Sequence, residues 1–340
     1  MIGRRKLMLL LRARAIAGII TIRKILLTSL RLLVTAGLIW ALSTRVDLGR
    51  AAAFMGGASP RLIVATVLAM VAANLIVGSR WHLVLRAAAP SPGLVSLIKI
   101  VFVGLFFNQV LPTGVGGDAV RAWRLRKLGT GLGEAVRSIL LDRACGYLVL
   151  VLVYAASLPS LLQILPEAAQ RGGAAAVLGA AVLGLLMLVL LDYLPRRVLH
   201  LRLVAPLAEL SRESRRLFSD PGRCGAVLGL SALTIGLTIV AFKLAADGVG
   251  VRLSLWTWTM IVPPVTLIQL VPVSLAGWGV REFVLVAALV PFGVPAEPAL
   301  ATSVLFGLCS ILVGIPGGLI WLTSWDIAQP HRAAASASSP

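Results

Sequence analysis

Two stretches of the chain combine helix breakers, a cation and a long apolar lead-in. They are Gln109-Val-Leu-Pro112-Thr-Gly-Val-Gly116-Gly117-Asp118-Ala-Val120-Arg121 and Gln269-Leu-Val-Pro272-Val-Ser-Leu-Ala-Gly277-Trp-Gly279-Val280-Arg281. Gln, Pro, Gly, Val and Arg recur in register. Proline removes a backbone donor and glycine lets a backbone approach a ligand closely. Arginine supplies a planar fork that suits phosphate. A half-helix starting near Gly116 or Gly117, and its counterpart near Gly277 to Gly279, would aim backbone N–H groups and the positive end of the helix dipole at an anion. A first-turn cation opposes that dipole, so Arg121 and Arg281 require another reason to be there; Asp118 and Glu282 lie close enough to offset them. The bland alternative is that Pro and Gly only kink helices and that each arginine snorkels or pairs locally.

A second constellation is Asp142-Arg143-Ala-Cys-Gly146-Tyr147. At roughly 1.5 Å per residue, Asp142 lies about 12 Å along a helix from Glu134, deeper than an interfacial residue needs to be. Arg121 and Arg281 are its candidate partners, in a transport site or in a structural ion pair. Lys99 and Lys243 are also embedded in apolar sequence and either snorkel or line a path. Asn74, Asn108 and Gln109 read as interhelical hydrogen-bonding groups, the last two beside the first break.

These residues are carried by a chain of 340 residues, 59% of them hydrophobic, with a mean hydropathy of +0.96. Apolar runs lie near 27–44, 61–79, 94–111, 136–158, 174–194, 225–246, 256–275, 278–290 and 299–322, several close to the roughly 20 residues that cross a bilayer. The reading is an all-α polytopic membrane protein. The net charge of +19 resides in loops between apolar runs, which excludes a nucleic-acid interface and fits loops beside anionic lipid. If 94–111 crossed fully, the basic segments after Gly117 and over 196–223 would both lie outside, against the positive-inside rule. If 94–111 and 256–275 instead break and return, both basic loops are cytoplasmic. The expectation is therefore about six full transmembrane helices plus two re-entrant helical hairpins entering from opposite faces as an inverted repeat. A basic cytoplasmic segment covers 1–26, the transmembrane domain 27–325, and a disordered tail 326–340. In this arrangement Arg121 and Arg281 belong to one site near the midplane.

No enzyme motif emerges. His82, His200 and His331 stand apart from carboxylate clusters, and Cys145, Cys224 and Cys309 lack metal or disulfide spacing. No cofactor is expected.

The series Asn108-Gln109-Val-Leu-Pro112, Gly116-Gly117-Asp118, Arg121, Asp142-Arg143 with Gly146, and Gly277-Trp-Gly279-Val-Arg281-Glu282 resembles the lysylphosphatidylglycerol synthase transmembrane, or flippase-like, family over about residues 30–325. Arg80-Trp81 is similar to a further family feature. The resemblance implies a multi-pass protein of the bacterial inner membrane, with both termini cytoplasmic and a lipid-translocation role. Its site residues would be Asn108, Gln109, Gly116, Gly117, Asp118, Arg121, Asp142, Arg143, Gln269, Gly277, Gly279, Arg281 and Glu282. The cargo would be a membrane phospholipid or a lipid-linked substrate. The soluble aminoacyl-transfer domain of two-domain members is lacking, so synthase activity does not carry over, and Ala276 stands where a Gly is common. The other readings are a non-transporting scaffold for a lipid-biosynthetic enzyme partner and a small-ion transporter using Asp142 and Lys99. Oligomeric state is left open.

Overall fold

The computed structural model describes residues 29–30, 32–44, 46–86, 91–111, 116–190, 205–270 and 277–323. The N-terminal segment 1–26, the tail 326–340, and residues 112–115 and 271–276, where the hairpin breaks are expected, lie outside the described residues. Twelve α-helices and one short 3-10 turn account for nearly all of the described chain: α1 Leu32–Ser43, α2 Leu48–Gly56, α3 Pro60–Arg86, α4 Leu94–Val110, α5 Gly116–Lys127 and α6 Leu132–Ile164 in the first half. The remainder are α7 Ala168–Leu190, α8 Ala205–Phe218, α9 Pro221–Gly248, α10 Leu255–Ile268, α11 Val280–Leu289 and α12 Ala296–Thr323.

Helices α3, α6, α7, α9 and α12 are long and apolar enough to cross a membrane. The first apolar run is bent instead, with 88° between α1 and α2. Asp47 stands at that bend, its Oδ1 accepting the Arg50 amide at 3.0 Å as the cap of α2. At about 1.5 Å per residue, α4 reaches only ~26 Å and α10 only ~21 Å, short of a core roughly 30 Å thick. Leu111, the last residue before Pro112, is extended (φ −84°, ψ 136°), as steric clash with a following proline ring demands. After the break, α5 carries Asp118 in its first turn and Arg124, Arg126 and Lys127 in its last, both complementary to the dipole.

Large side chains face both ways. Trp81, Trp258 and Tyr154 are fully buried between helices, while Leu68, Leu152, Leu183, Leu233 and Leu319 point outward from five different spans. An apolar exterior is the surface a lipid-embedded bundle presents. Helices α4 and α12 approach closely through Gly314, Gly317 and Gly318, which face Phe102 and Phe106; a Cβ on Gly317 would collide with the Phe102 carbonyl oxygen. Gly317→Val therefore has to separate the two helices. It lowers the stability of the detergent-solubilised protein by about 1–3 kcal/mol or more, read as a drop in thermal midpoint. Gly172→Val, with nothing within 4 Å of its added carbon, leaves the midpoint in place.

The hydrophilic stretch 195–223, expected as a loop, contains α8. Leu210, Ser211, Ser214 and Leu217 are buried on one side of it, and Arg212, Arg215 and Arg216 are exposed on the other. That 3.6-residue period is carried partly by serines, which an apolar pattern does not register. Ser214 remains compatible with burial because its hydroxyl donates to the Leu210 carbonyl at 2.9 Å. Arg137 of α6 holds the helix through Glu209 at 2.5 Å and Glu213 at 2.7 Å.

Candidate functional site

Five charged side chains form a chain through the bundle. Arg80 of α3 donates from Nε to Asp142 Oδ1 at 2.8 Å. The other carboxylate oxygen of Asp142 lies 3.6 Å from Arg121 Nη2. Arg121 Nη1 is 3.4 Å from Asp118 Oδ1, and Asp118 Oδ2 is 2.5 Å from Arg143 Nε. Three guanidiniums against two carboxylates leave one positive charge unmatched. Asp142 is completely buried, and Arg80 and Arg121 are only 5% and 7% exposed. Arg143, at the end of the chain, is the most exposed member, with 32% of its side chain accessible, and an excess charge in so buried a cluster is costly unless an anion or solvent meets it.

Local sequence explains how these groups fit. Gly104 of α4 lies against the aliphatic part of Arg121; a Cβ there would come within 2.8 Å of Arg121 Cγ. Gly146 gives room to the Arg80 guanidinium in the same way, at 2.9 Å. The Arg121 guanidinium carbon sits 4.2 Å from the centre of the Trp81 ring, and Trp81 is fixed by its Nε1 donating to Ser138 Oγ at 3.2 Å. Arg80 Nη1 also donates to Ser231 Oγ on α9 at 3.1 Å. Arg121 is held by packing more than by hydrogen bonds: its Nε and Nη2 are buried with no hydrogen-bond partner among the described residues.

Four of the five, Arg80, Arg121, Asp142 and Arg143, line a cavity of about 340 Å³ between α3, α4, α5, α6, α9 and α10, within the size range of small-ligand sites. Asn108, Thr234, Thr238 and Thr266 line it too. Arg143 and Tyr147 also line a second cavity of about 510 Å³, an apolar groove between α6, α7, α8 and α10 lined by Leu140, Val151, Val177, Leu185, Leu210 and Leu267. Arg143 Nη1 donates to Tyr147 Oη at 3.0 Å, and the pair stands between the two spaces.

Of the residues singled out in the sequence, Asn108, Asp118, Arg121, Asp142 and Arg143 come together. Asn108 does so with a changed role: its Oδ1 accepts the Gly117 amide at 3.0 Å, so a side chain of the chain itself occupies part of the half-helix N-terminus. Gly117 is buried against Gly104 and Asn108, where any Cβ would collide, and Gly116 is buried beside it. Both serve close packing of α5 on α4 in this arrangement. Gln109 faces a smaller neighbouring cavity of about 190 Å³ shared with Asn74, Phe306 and Ser310. Gln269 donates back to the Val265 carbonyl at 3.1 Å.

Arg281 and Glu282 form a separate, neutral cluster. Glu282 Oε1 accepts from Arg281 Nη2 at 2.7 Å, and Ser303 Oγ of α12 lies 3.2 Å from Arg281 Nε and 3.1 Å from Glu282 Oε1. Glu282 Oε2 caps the helix by accepting the Gly279 amide at 2.6 Å. Gly277 and Gly279 have φ of +81° and +85°, a conformation that strains other residues. Asp142 thus has Arg80 and Arg121 as partners, with Arg281 held elsewhere by its own neighbour. Lys99 is exposed on α4, and Lys243 pairs with Asp247 one turn along α9.

Arg80 is the main participant that sequence reasoning did not place in the site. It lies six positions before the end of a 27-residue helix, where it reads as an interfacial cation. The signal available was hydrogen bonding: Asp142, buried between apolar turns, has two acceptor oxygens and so calls for donors from more than one neighbour. Among the described residues no group of three or more His, Cys, Asp or Glu can hold a metal.

None of the curated proteins compared with the chain matches it. The sequence profile of the lysylphosphatidylglycerol synthase TM region matches residues 28–318, which include every helix of the cavity and both Pro-Gly breaks, and the chain belongs to that family of membrane proteins.

Proposed function

We propose that the chain is a flippase-like lipid transporter of the inner membrane that holds the phosphate of an anionic phospholipid, or of another lipid-linked substrate, against Arg121 and its neighbours. One observation carries this reading: a largely buried chain of charges with one positive charge in excess borders, across Arg143 and Tyr147, an apolar groove. A phosphate in the first space and an acyl chain in the second is the amphipathic arrangement a membrane lipid supplies. In this reading α4–α5 and α10–α11 are re-entrant hairpins from opposite faces, both termini are cytoplasmic, and the chain moves lipid without covalent chemistry. The Arg121 guanidinium lines the charged cavity, and its hydrogen-bonding capacity is only partly used by Asp118 and Asp142, which leaves donors for a phosphate.

The test is movement of labelled anionic lipid in liposomes containing the purified protein. Arg121→Gln removes charge-assisted hydrogen bonds worth about 1.5–3 kcal/mol, so movement falls roughly ten- to a hundredfold while the protein stays folded. Unchanged movement in that variant, or none with the wild type, sinks the proposal. A scaffold role has its own support in the exposed Arg212, Arg215 and Arg216 on α8, a face suited to an acidic lipid-biosynthetic partner. That role requires a co-purifying protein that is lost when the three are changed to Gln.

A further inference from the structure

Away from the charged cavity, α5 meets the end of α12 in a seam of rings and cations. The Trp123 and Trp321 ring centres are 5.4 Å apart, and Phe107 of α4 meets Trp321 edge to face at 4.8 Å. Lys127 Nζ stands 3.8 Å from the centre of the Trp123 ring, and the Arg124 guanidinium carbon 4.5 Å from that of Trp321. Trp123 follows Arg121 by two residues, about 200° of helix, so it points out of the bundle where Arg121 points in; it is 38% exposed. Lys99 belongs to the same end of the molecule. It lies one turn before Phe102 and Val103, which receive Gly317 of α12.

Tryptophans commonly mark the level of lipid headgroups, and rings alone make no site. Charge is what sets this seam apart. Asp118 and Glu297 are the only acidic residues of α4, α5 and α12; the first is engaged by Arg121 and Arg143, and the second stands in the first turn of α12, at the far end from Trp321. Lys99 and Lys127 are exposed, and among the described residues neither takes part in an ion pair. The negative end of the α5 dipole offsets only part of the charge gathered there, and an anion completes it. Beyond the rings the seam turns apolar, with Phe107 and the exposed Val110 continuing it along α4 toward Pro112. A free inorganic anion would use the cations alone. A phospholipid uses both parts.

We propose that the seam between α5 and α12 is a binding site for an anionic phospholipid of the surrounding bilayer, with its phosphate at Lys99, Arg124 and Lys127 and an acyl chain along Phe107 and Val110. The site is separate from the charged cavity and does not depend on the transport reading. A lipid held there fastens α5, whose inner side carries Arg121, to α12. The purified full chain is placed in phosphatidylcholine bilayers, and a rising share of the lipid is replaced by phosphatidylglycerol, or by phosphatidylcholine, brominated high on the acyl chains. Quenching of tryptophan fluorescence reports occupancy beside the rings. Wild-type protein takes the anionic lipid in preference by roughly tenfold, the order that two or three interfacial cations supply. In the Lys99→Gln, Lys127→Gln variant the preference falls several-fold; both residues are exposed and outside any ion pair of the described chain, so the fold is not at stake. In the Trp123→Phe, Trp321→Phe variant the preferential quenching disappears, because its reporters are gone.

Equal quenching by the two brominated lipids in the wild type overturns the site. A preference that survives in the lysine variant, or in the tryptophan variant, does the same by locating the anionic lipid elsewhere. Arg121→Gln retains the preference; if it loses it as fully as the lysine variant does, the lipid detected is one in the charged cavity and the seam is not a site of its own. Excess inorganic phosphate at constant ionic strength leaves the preference in place. Abolition of the preference by that phosphate assigns the cations to a free anion and overturns the lipid source.

Discussion

Asp142→Ala leaves the protein folded poorly or not at all. The carboxylate is completely buried, 2.8 Å from Arg80 Nε and 3.6 Å from Arg121 Nη2, and links α6 to α3 and α5. Without it, three guanidiniums remain, two of them buried at the centre of the bundle, with Asp118 as the only carboxylate of the chain of charges. Breaking a buried pair from one side costs about 3–5 kcal/mol, a large part of a total stability of roughly 5–15 kcal/mol. Thermal unfolding in detergent, followed by far-UV circular dichroism, reads this as a lower midpoint and a lower yield of monodisperse protein. Asp142→Asn keeps the shape and loses the charge, so it moves in the same direction by less. Combining Asp142→Asn with Arg80→Gln restores part of the loss, because neither charge is then stranded, and the two changes couple by more than about 0.5 kcal/mol. Glu209→Ala, which removes a half-exposed partner of Arg137, costs less than about 1 kcal/mol. A wild-type midpoint for Asp142→Ala would show that the charge chain is not what holds these helices together.

The contrast between Asp142 and Glu209 also shows which parts of the molecule can be read from the order of residues. The spans are legible because a bilayer demands about 20 apolar residues in a row, and the breaks are legible because Pro112 forces Leu111 out of helical conformation. Asp142 announces itself as an anomaly inside an apolar run. Its partners do not, since Arg80 reaches it from a helix 62 positions upstream and Arg121 from α5. The same limit hides the threonines of the cavity. Thr234 and Thr238 resemble any small polar residues of a membrane helix until the fold places them in the same lining as the arginines. Helix α8 escaped notice for a different reason: half of its buried stripe is serine, and burial there depends on hydrogen bonds back to its own carbonyls. The repeated Gln-x2-Pro-x4-Gly-x2-Val-Arg suggested equivalent roles for Arg121 and Arg281 because register is visible in sequence and neutralisation is not.

Neutralisation is where the second large effect arises. Glu282→Ala destabilises the protein by an amount similar to Asp142→Ala, about 3–5 kcal/mol, since Arg281 is only 7% exposed and Glu282 is its acidic partner. The Gly279 amide loses its cap in the same step. Removing both charges together is another matter. Arg281→Met with Glu282→Gln strands nothing, and the glutamine can still accept the Gly279 amide. That double variant stays folded and moves lipid at a rate within a factor of a few of the wild type, whereas Arg121→Gln, equally well folded, does not. The difference follows from charge: the cluster at Arg281 sums to zero and holds α11 against Ser303 and Gly307 of α12, while the cluster at Arg121 carries one positive charge into a cavity. In the proposed reading the two copies of the motif divide the work, Arg281 fixing α11 and Arg121 meeting the anion. A folded double variant that fails in transport as completely as Arg121→Gln would return Arg281 to the binding site and make the anion a ligand of both halves.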